Sequence, residues 1–177
     1  IATPTAGAAP PAGVPMLPFR FRARPAPPLG LKFGNVAAVA FTPDGHLLVF
    51  NPNSAIQMVE YDATGSRVLR VFNPNIAVNP HALRVDRHGN IWATDAYWNV
   101  LWKLNPKGEV LMMLGRRGEN GAWNDNAWNG MFNQPMDIAF DQDDNFYVVQ
   151  GHGGTAPPAD CLFCTTYPHR PRPRPRP

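Results

Sequence analysis

Histidine and cysteine are the residues of this chain best suited to chemistry, and there are five of the first and two of the second. A neutral imidazole offers a nitrogen to zinc and exchanges a proton near neutral pH, and a thiolate pair offers half of a four-cysteine zinc site. His81 opens the run Pro80-His-Ala-Leu-Arg-Val-Asp86, and His152 sits between Gly151 and Gly153. His46 and His88 lie in Asp/Gly and His/Gly turns, where a solvent-facing place is the default. His169 belongs to a terminal Pro/Arg run, beside which Cys161 and Cys164 form a single Cys-Leu-Phe-Cys pair with no second pair to complete a site. That pair reads as metal-free. Neither a phosphate-binding glycine loop, nor a Gly-x-Ser-x-Gly elbow, nor a helical metalloprotease motif is present, so nucleotide use and serine-hydrolase chemistry find no support.

The elements that must position these residues are written as a repeat. The segments Val36–Phe50, Pro80–Thr94 and Pro135–Val149 align at offsets of 44 and 55 residues. In each, a short apolar strand runs into an Asp/Gly/Asn turn and out into another, the pattern of a hairpin. The second unit continues through 99–104, a turn at 105–108 and the strand 109–114, and the first does the same through 57–61, 62–65 and 67–72. Four strands in about 44 residues, with no helical period, match one blade of a β-propeller. The expected fold is therefore all-β, with about two and a half blades of a ring that would hold six. Blades bury their faces against neighbours, so a partial array leaves apolar faces and strand edges open, and self-association through those edges is expected.

The ends have a different composition. Residues 1–32 read as a Pro/Ala-rich linker, 33–153 as the propeller portion, and 154–177 as a low-complexity tail whose alternating Arg-Pro run favours polyproline II geometry. The formal charge of +3 conceals a division between these parts. Arg20, Arg22, Arg24 and Lys32 lie at one end and Arg170, Arg172, Arg174 and Arg176 at the other with Asp160, which leaves eight basic against 12 acidic residues in 33–153, about −4. A core of that sign is not built for nucleic acid, although the basic tail is a candidate linear ligand for an anionic or Pro-recognising partner. No apolar run is long enough to span a bilayer, and the small-residue, Pro-rich start suggests a secreted or periplasmic protein.

From Asn79 to Gly151 the chain resembles the peptidyl-α-hydroxyglycine α-amidating lyases, which are propellers of NHL-type repeats. The resemblance rests on Pro80-His81-Ala82-Leu83-Arg84-Val85-Asp86 with Gly89-Asn90-Ile91-Trp92 and Thr94-Asp95, on Asn105-Pro106-Lys107-Gly108 with Leu114-Gly115, and on Phe132-Asn133-Gln134-Pro135-Met136-Asp137. It implies that His81 is one of three zinc-binding histidines facing the central channel, and that the backbone carbonyls near Val39 and Leu83 meet a structural calcium ion. Read from the residues alone, without that resemblance, His81 is a polar residue that opens a strand in a repeat protein. The family reaction cleaves peptidyl α-hydroxyglycine to a peptide amide and glyoxylate. It needs a metal, a base for the hydroxyl proton and a cation for the carboxylate.

Two departures bear on that chemistry. Where the family has an Asp-Gly-Tyr-Gly-Asn run that carries a proton-accepting tyrosine, this chain has Gln150-Gly151-His152-Gly153, so His152 is the substitute base. Where a channel-facing arginine is expected, it has Phe50-Asn51-Pro52, and proline holds no carboxylate. The Gly/Asn/Trp-rich insertion 116–131 is a candidate loop over the channel, with Trp123 and Trp128 more simply read as packing anchors. Two functions follow: part of a zinc-dependent lyase-like propeller, inactive by itself and acting on a peptide, or a non-catalytic NHL-repeat module that binds a protein partner or assembles with copies of itself.

Overall fold

The computed structural model describes residues 32–52, 56–72, 75–121 and 130–151 and the backbone of a short strand at 165–167. Every regular element among the described residues is a strand. The first sheet has the order β1 (Ala38–Phe41), β2 (Leu47–Phe50), β3 (Met58–Tyr61) and β4 (Val68–Phe72). The second runs β5 (Pro80–Val85), β6 (Ile91–Asp95), β7 (Val100–Leu104) and β8 (Val110–Gly115). The third holds β9 (Pro135–Phe140), β10 (Phe146–Gln150) and β11 (Thr165–Tyr167). All pairings are antiparallel between consecutive strands, which is the meander of a propeller blade. The first strands adjoin one another, β1 beside β5 and β5 beside β9, and so form the inner wall.

β11 lies within the stretch that composition assigns to the tail. Its Thr-Thr-Tyr sequence is β-branched and aromatic, which suits a strand, and it pairs with β10 from Phe146↔Tyr167 to Val148↔Thr165. The last sheet thus has three strands where the repeat alone shows two.

One device closes the hairpins. An oxygen on the side chain of the first turn residue accepts the backbone N–H groups two and four positions on, which fixes the turn before the return strand begins. Asp86 holds His88 N and Asn90 N at 2.9 Å each; Asp141 holds Asp143 N and Asn145 N at 2.9 Å; Asp62 holds Thr64 N at 3.1 Å and Ser66 N at 3.0 Å. Asn105 does the same with Lys107 N and Glu109 N. The fourth turn position takes positive φ, supplied by a glycine in these turns except the third blade's, where Asp144 stands at φ 63°. A non-glycine residue in that region is strained, and here Asp144 is held from the neighbouring blade by Arg87 Nη2 at 2.5 Å and His88 Nε2 at 3.1 Å.

The core follows the two-residue strand period. In β6, Ile91 and Ala93 face the first sheet and pack with Leu48, Phe50, Met58 and Leu104. Trp92, pointing the other way, packs with Ile138, Phe146 and Val148 of the third sheet and with Phe132 just before it. The Trp92 ring lies 4.9 Å from the Phe146 ring and 5.3 Å from the Phe140 ring, and Lys103 Nζ sits 4.8 Å over its face. Its indole N–H donates to Asp86 Oδ2 at 2.9 Å, joining turn to core.

Burial pushes the Asp86 pKa up, but donors from the Trp92 indole, the Asn90 side chain and backbone and the His88 N–H together outweigh it and hold the carboxyl below its ordinary value. A depressed folded-state value contributes stability above the unfolded carboxyl range of about 3.9, and that contribution is lost as pH falls through the folded value. Urea midpoints should therefore fall on acidification below about pH 4, and Asp86→Asn should flatten that slope. Trp92→Phe, which keeps an aromatic ring in the core but takes from the buried Asp86 Oδ2 one of its two donors, Asn90 Nδ2 remaining, should cost about 1 kcal/mol in denaturant unfolding at neutral pH.

Candidate functional site

The inner strand of the middle blade is built around an extra residue. β5 pairs with β6 at Pro80↔Asp95 and again at Leu83↔Ala93, so three steps on β5 match two on β6. Residues three apart on a regular strand face opposite ways, and one inserted residue brings them to the same side. His81 and Arg84 accordingly both reach the next inner strand. His81 Nδ1 lies 3.0 Å from the Met136 carbonyl oxygen, and Arg84 Nη2 lies 2.7 Å from Asp137 Oδ2.

The entry to this strand is fixed by Asp95, a fully buried carboxylate at the end of β6. Its Oδ2 accepts the backbone N–H groups of Val78 and, at 2.7 Å, of Asn79, and its Oδ1 accepts Trp98 N at 2.5 Å. Thr94 Oγ1 accepts Ala82 N at 2.9 Å, which satisfies an N–H at the irregular register. Together the Thr94-Asp95 pair sets where Pro80 begins and hence where His81 points.

His81 is exposed and borders two adjoining clefts on the inner wall. One, of about 330 Å³, it shares with Asn35, Asn79 and Pro52. The other, of about 310 Å³, it shares with Val39, Arg84, Met136 and Asp137. Pro52 thus stands beside His81, at the place where the sequence suggests an arginine is missing, and the guanidinium that does line the wall is that of Arg84. Strand alternation alone would put Arg84 on the face opposite His81. The register shift that reverses this has no local signature.

A carbonyl oxygen only accepts, so the His81–Met136 contact as a hydrogen bond needs a proton on Nδ1, and Nε2 is the ring nitrogen not used in it. Metal-binding imidazoles are oriented in this way, by donating their second nitrogen to a carbonyl or carboxylate. His81 therefore fits the part of one zinc ligand. Among the described residues no group of three His, Cys, Asp or Glu side chains converges as a metal cage, so further ligands would have to come from outside them. The calcium expected at Val39 and Leu83 fits less well. The Leu83 carbonyl oxygen accepts Arg84 Nη1 at 3.0 Å, and a fixed positive charge at that oxygen opposes a divalent cation.

The other two histidines among the described residues, His46 and His88, are occupied locally. His46 Nδ1 meets Glu60 Oε1 at 2.9 Å, where Glu60 also receives Arg70, and His88 meets Asp144 across the blade boundary. His152, Trp123, Trp128 and the Cys161, Cys164 pair lie outside the described residues.

These sheets and their shared inner wall define a β-propeller. The chain superposes on the streptogramin B lyase structure with a TM-score of 0.51 at 17% identity, over 69% of this chain and 36% of that one. It also matches a protein of unknown function from Bacteroides thetaiotaomicron with a TM-score of 0.50 at 20% identity, over 66% and 30% of the two chains. No protein-family model matches the chain. In sequence its relatives are amidating enzymes, as the Pro80–Asp86 run implies. It is 28% identical over 151 residues to peptidyl-glycine alpha-amidating monooxygenase A of Xenopus laevis, covering 71% of this chain. It is 26% identical over 144 residues to peptidyl-alpha-hydroxyglycine alpha-amidating lyase 2 of Drosophila melanogaster, covering 68% of this chain. The aligned part spans 16% of the frog protein's length and 34% of the fly protein's.

The imidazole geometry is directly measurable. Long-range proton–nitrogen correlation spectra of the neutral ring, recorded at alkaline pH, should show the Nδ1–H tautomer at His81, whereas free histidine favours Nε2–H. An Nε2–H pattern at His81 would mean that the ring does not donate to the Met136 carbonyl.

Proposed function

We propose that this chain contributes part of the channel wall of an amidating-lyase-type propeller, in which His81 supplies one ligand to a catalytic zinc ion. The observation that carries the reading is the His81 ring, oriented on the channel wall by the 3.0 Å contact of its Nδ1 with the Met136 carbonyl oxygen. Likeness to the fly lyase and the frog monooxygenase supports the same reaction class. A bound zinc ion would supply Lewis acidity to the substrate hydroxyl. The reaction is a carbon–nitrogen cleavage of peptidyl α-hydroxyglycine. The hydroxyl proton leaves to a base, the oxygen lone pair closes the carbonyl of glyoxylate, and the C–N bonding pair returns to a nitrogen that is protonated as the peptide amide. His152 is the proposed base, in the place of the family's tyrosine. Because a tetrahedral zinc site takes about three protein ligands, His81 needs histidines from further sequence or another chain, and activity is not expected of the described residues by themselves. An exported location belongs to the same reading.

A second reading has its own observation. Val39 and Phe41 alternate with Ala38 and Ala40, and while the alanines pack toward the middle blade, Val39 is 51% and Phe41 64% exposed on the opposite face. A neighbouring sheet, from a partner or a second copy, would cover them, and such a module needs no catalysis.

Metal analysis by mass spectrometry on the purified chain, wild type against His81→Ala, separates the two. Zinc bound by the wild type at a site completed between chains, hence at less than one per chain, and lost on substitution, is the expected result. Absence of zinc from both, with a concentration-dependent rise in mass by light scattering, would leave the binding module.

A further inference from the structure

We infer that Arg84 supplies, as a guanidinium built into the chain, the positive charge that joins the inner strands of two neighbouring blades, and that this position takes no divalent cation. The residue sits on β5, where the register shift between Pro80 and Leu83 turns it toward β9. One arm of its fork donates to the Leu83 carbonyl at 3.0 Å and the other to Asp137 Oδ2 at 2.7 Å. Asp137 is itself fixed, since its Oδ1 accepts the Ile138 N–H at 2.7 Å. The guanidinium therefore gathers a backbone oxygen from one blade and a carboxylate from the next, which is what a bridging cation does.

The chemistry of the groove argues against a calcium ion beside it. Calcium collects six to eight oxygen ligands and is drawn by carboxylates in excess of cations. Here Arg84 and Asp137 line the groove with Val39, the single carboxylate is already paired, and no cluster of three acidic or histidine side chains exists among the described residues. A guanidinium keeps its charge at any accessible pH, so the opposition is permanent. The pair is about half exposed, with Arg84 at 43% and Asp137 at 45%, so its strength will fall with added salt. This inference is independent of zinc at His81 and is read without any assay of activity.

Thermal unfolding of the purified chain, in millimolar calcium and in a calcium chelator, tests it with wild type, Arg84→Ala, Arg84→Lys and Asp137→Asn. The wild type should melt at the same temperature in both conditions. Arg84→Ala should melt lower in chelator and recover part of the loss in calcium, because the oxygens are then open to an ion; Arg84→Lys, which keeps the charge, should stay indifferent to calcium. A wild-type melting temperature that climbs with calcium would overturn the inference, and so would an Arg84→Ala protein that melts with the wild type or ignores calcium. Should Arg84→Ala fail to fold, Asp137→Asn decides: a lowered melting point without calcium response supports the built-in cation, and stabilisation of that variant by calcium overturns it.

Discussion

Burial of both faces of the β5–β8 sheet between its two neighbours is the constraint on which the rest of this molecule depends. A single antiparallel sheet of four short strands has two apolar faces and no core of its own. Ile91, Ala93, Trp102 and Leu104 bury one face against Leu48, Phe50 and Met58, and Trp92 and Leu101 bury the other against Phe132, Ile138 and Val148. Each blade is stable only as the filling between others, which is why β1, β5 and β9 are forced side by side along the inner wall.

That adjacency makes the site. His81 alone is an exposed residue near the start of a strand, and Arg84 alone is a surface cation. Docking of β9 against β5 gives the imidazole a carbonyl acceptor at Met136 and gives the guanidinium a carboxylate at Asp137. The site thus inherits its order from packing between blades, and loosening the Trp92 cluster would disorder it without touching any of its residues.

Polar groups in the structure divide by task. Asp62, Asp86, Asn105 and Asp141 close turns, Asp95 anchors the entry to β5, and Glu60 with His46 and Arg70 ties β3, β4 and the turn before β2 together. Gly115 shows how tight the joins are: at φ 90° a side-chain carbon there would lie 2.4 Å from the Asn99 carbonyl oxygen, so only glycine ends β8 where the chain passes on toward the third sheet.

The sequence by itself determined the strands, their turns and the repeat, because the period-two alternation and the Asp/Asn-x-x-Gly turns are local properties of the backbone and of side chains two to four residues apart. It also marked His81, through the Pro80–Asp86 run. It did not disclose β11, whose three residues are set in a composition unlike a strand region. Nor did it place Arg84 beside His81, since a one-residue register shift is decided by how β5 meets β6 and leaves no mark in the residues themselves. Tertiary structure alone decided that Met136 and Asp137, more than 50 positions away, would partner these two side chains. The reason is physical: contacts between blades are fixed by which apolar faces must be buried together, and only the assembled sheets settle that.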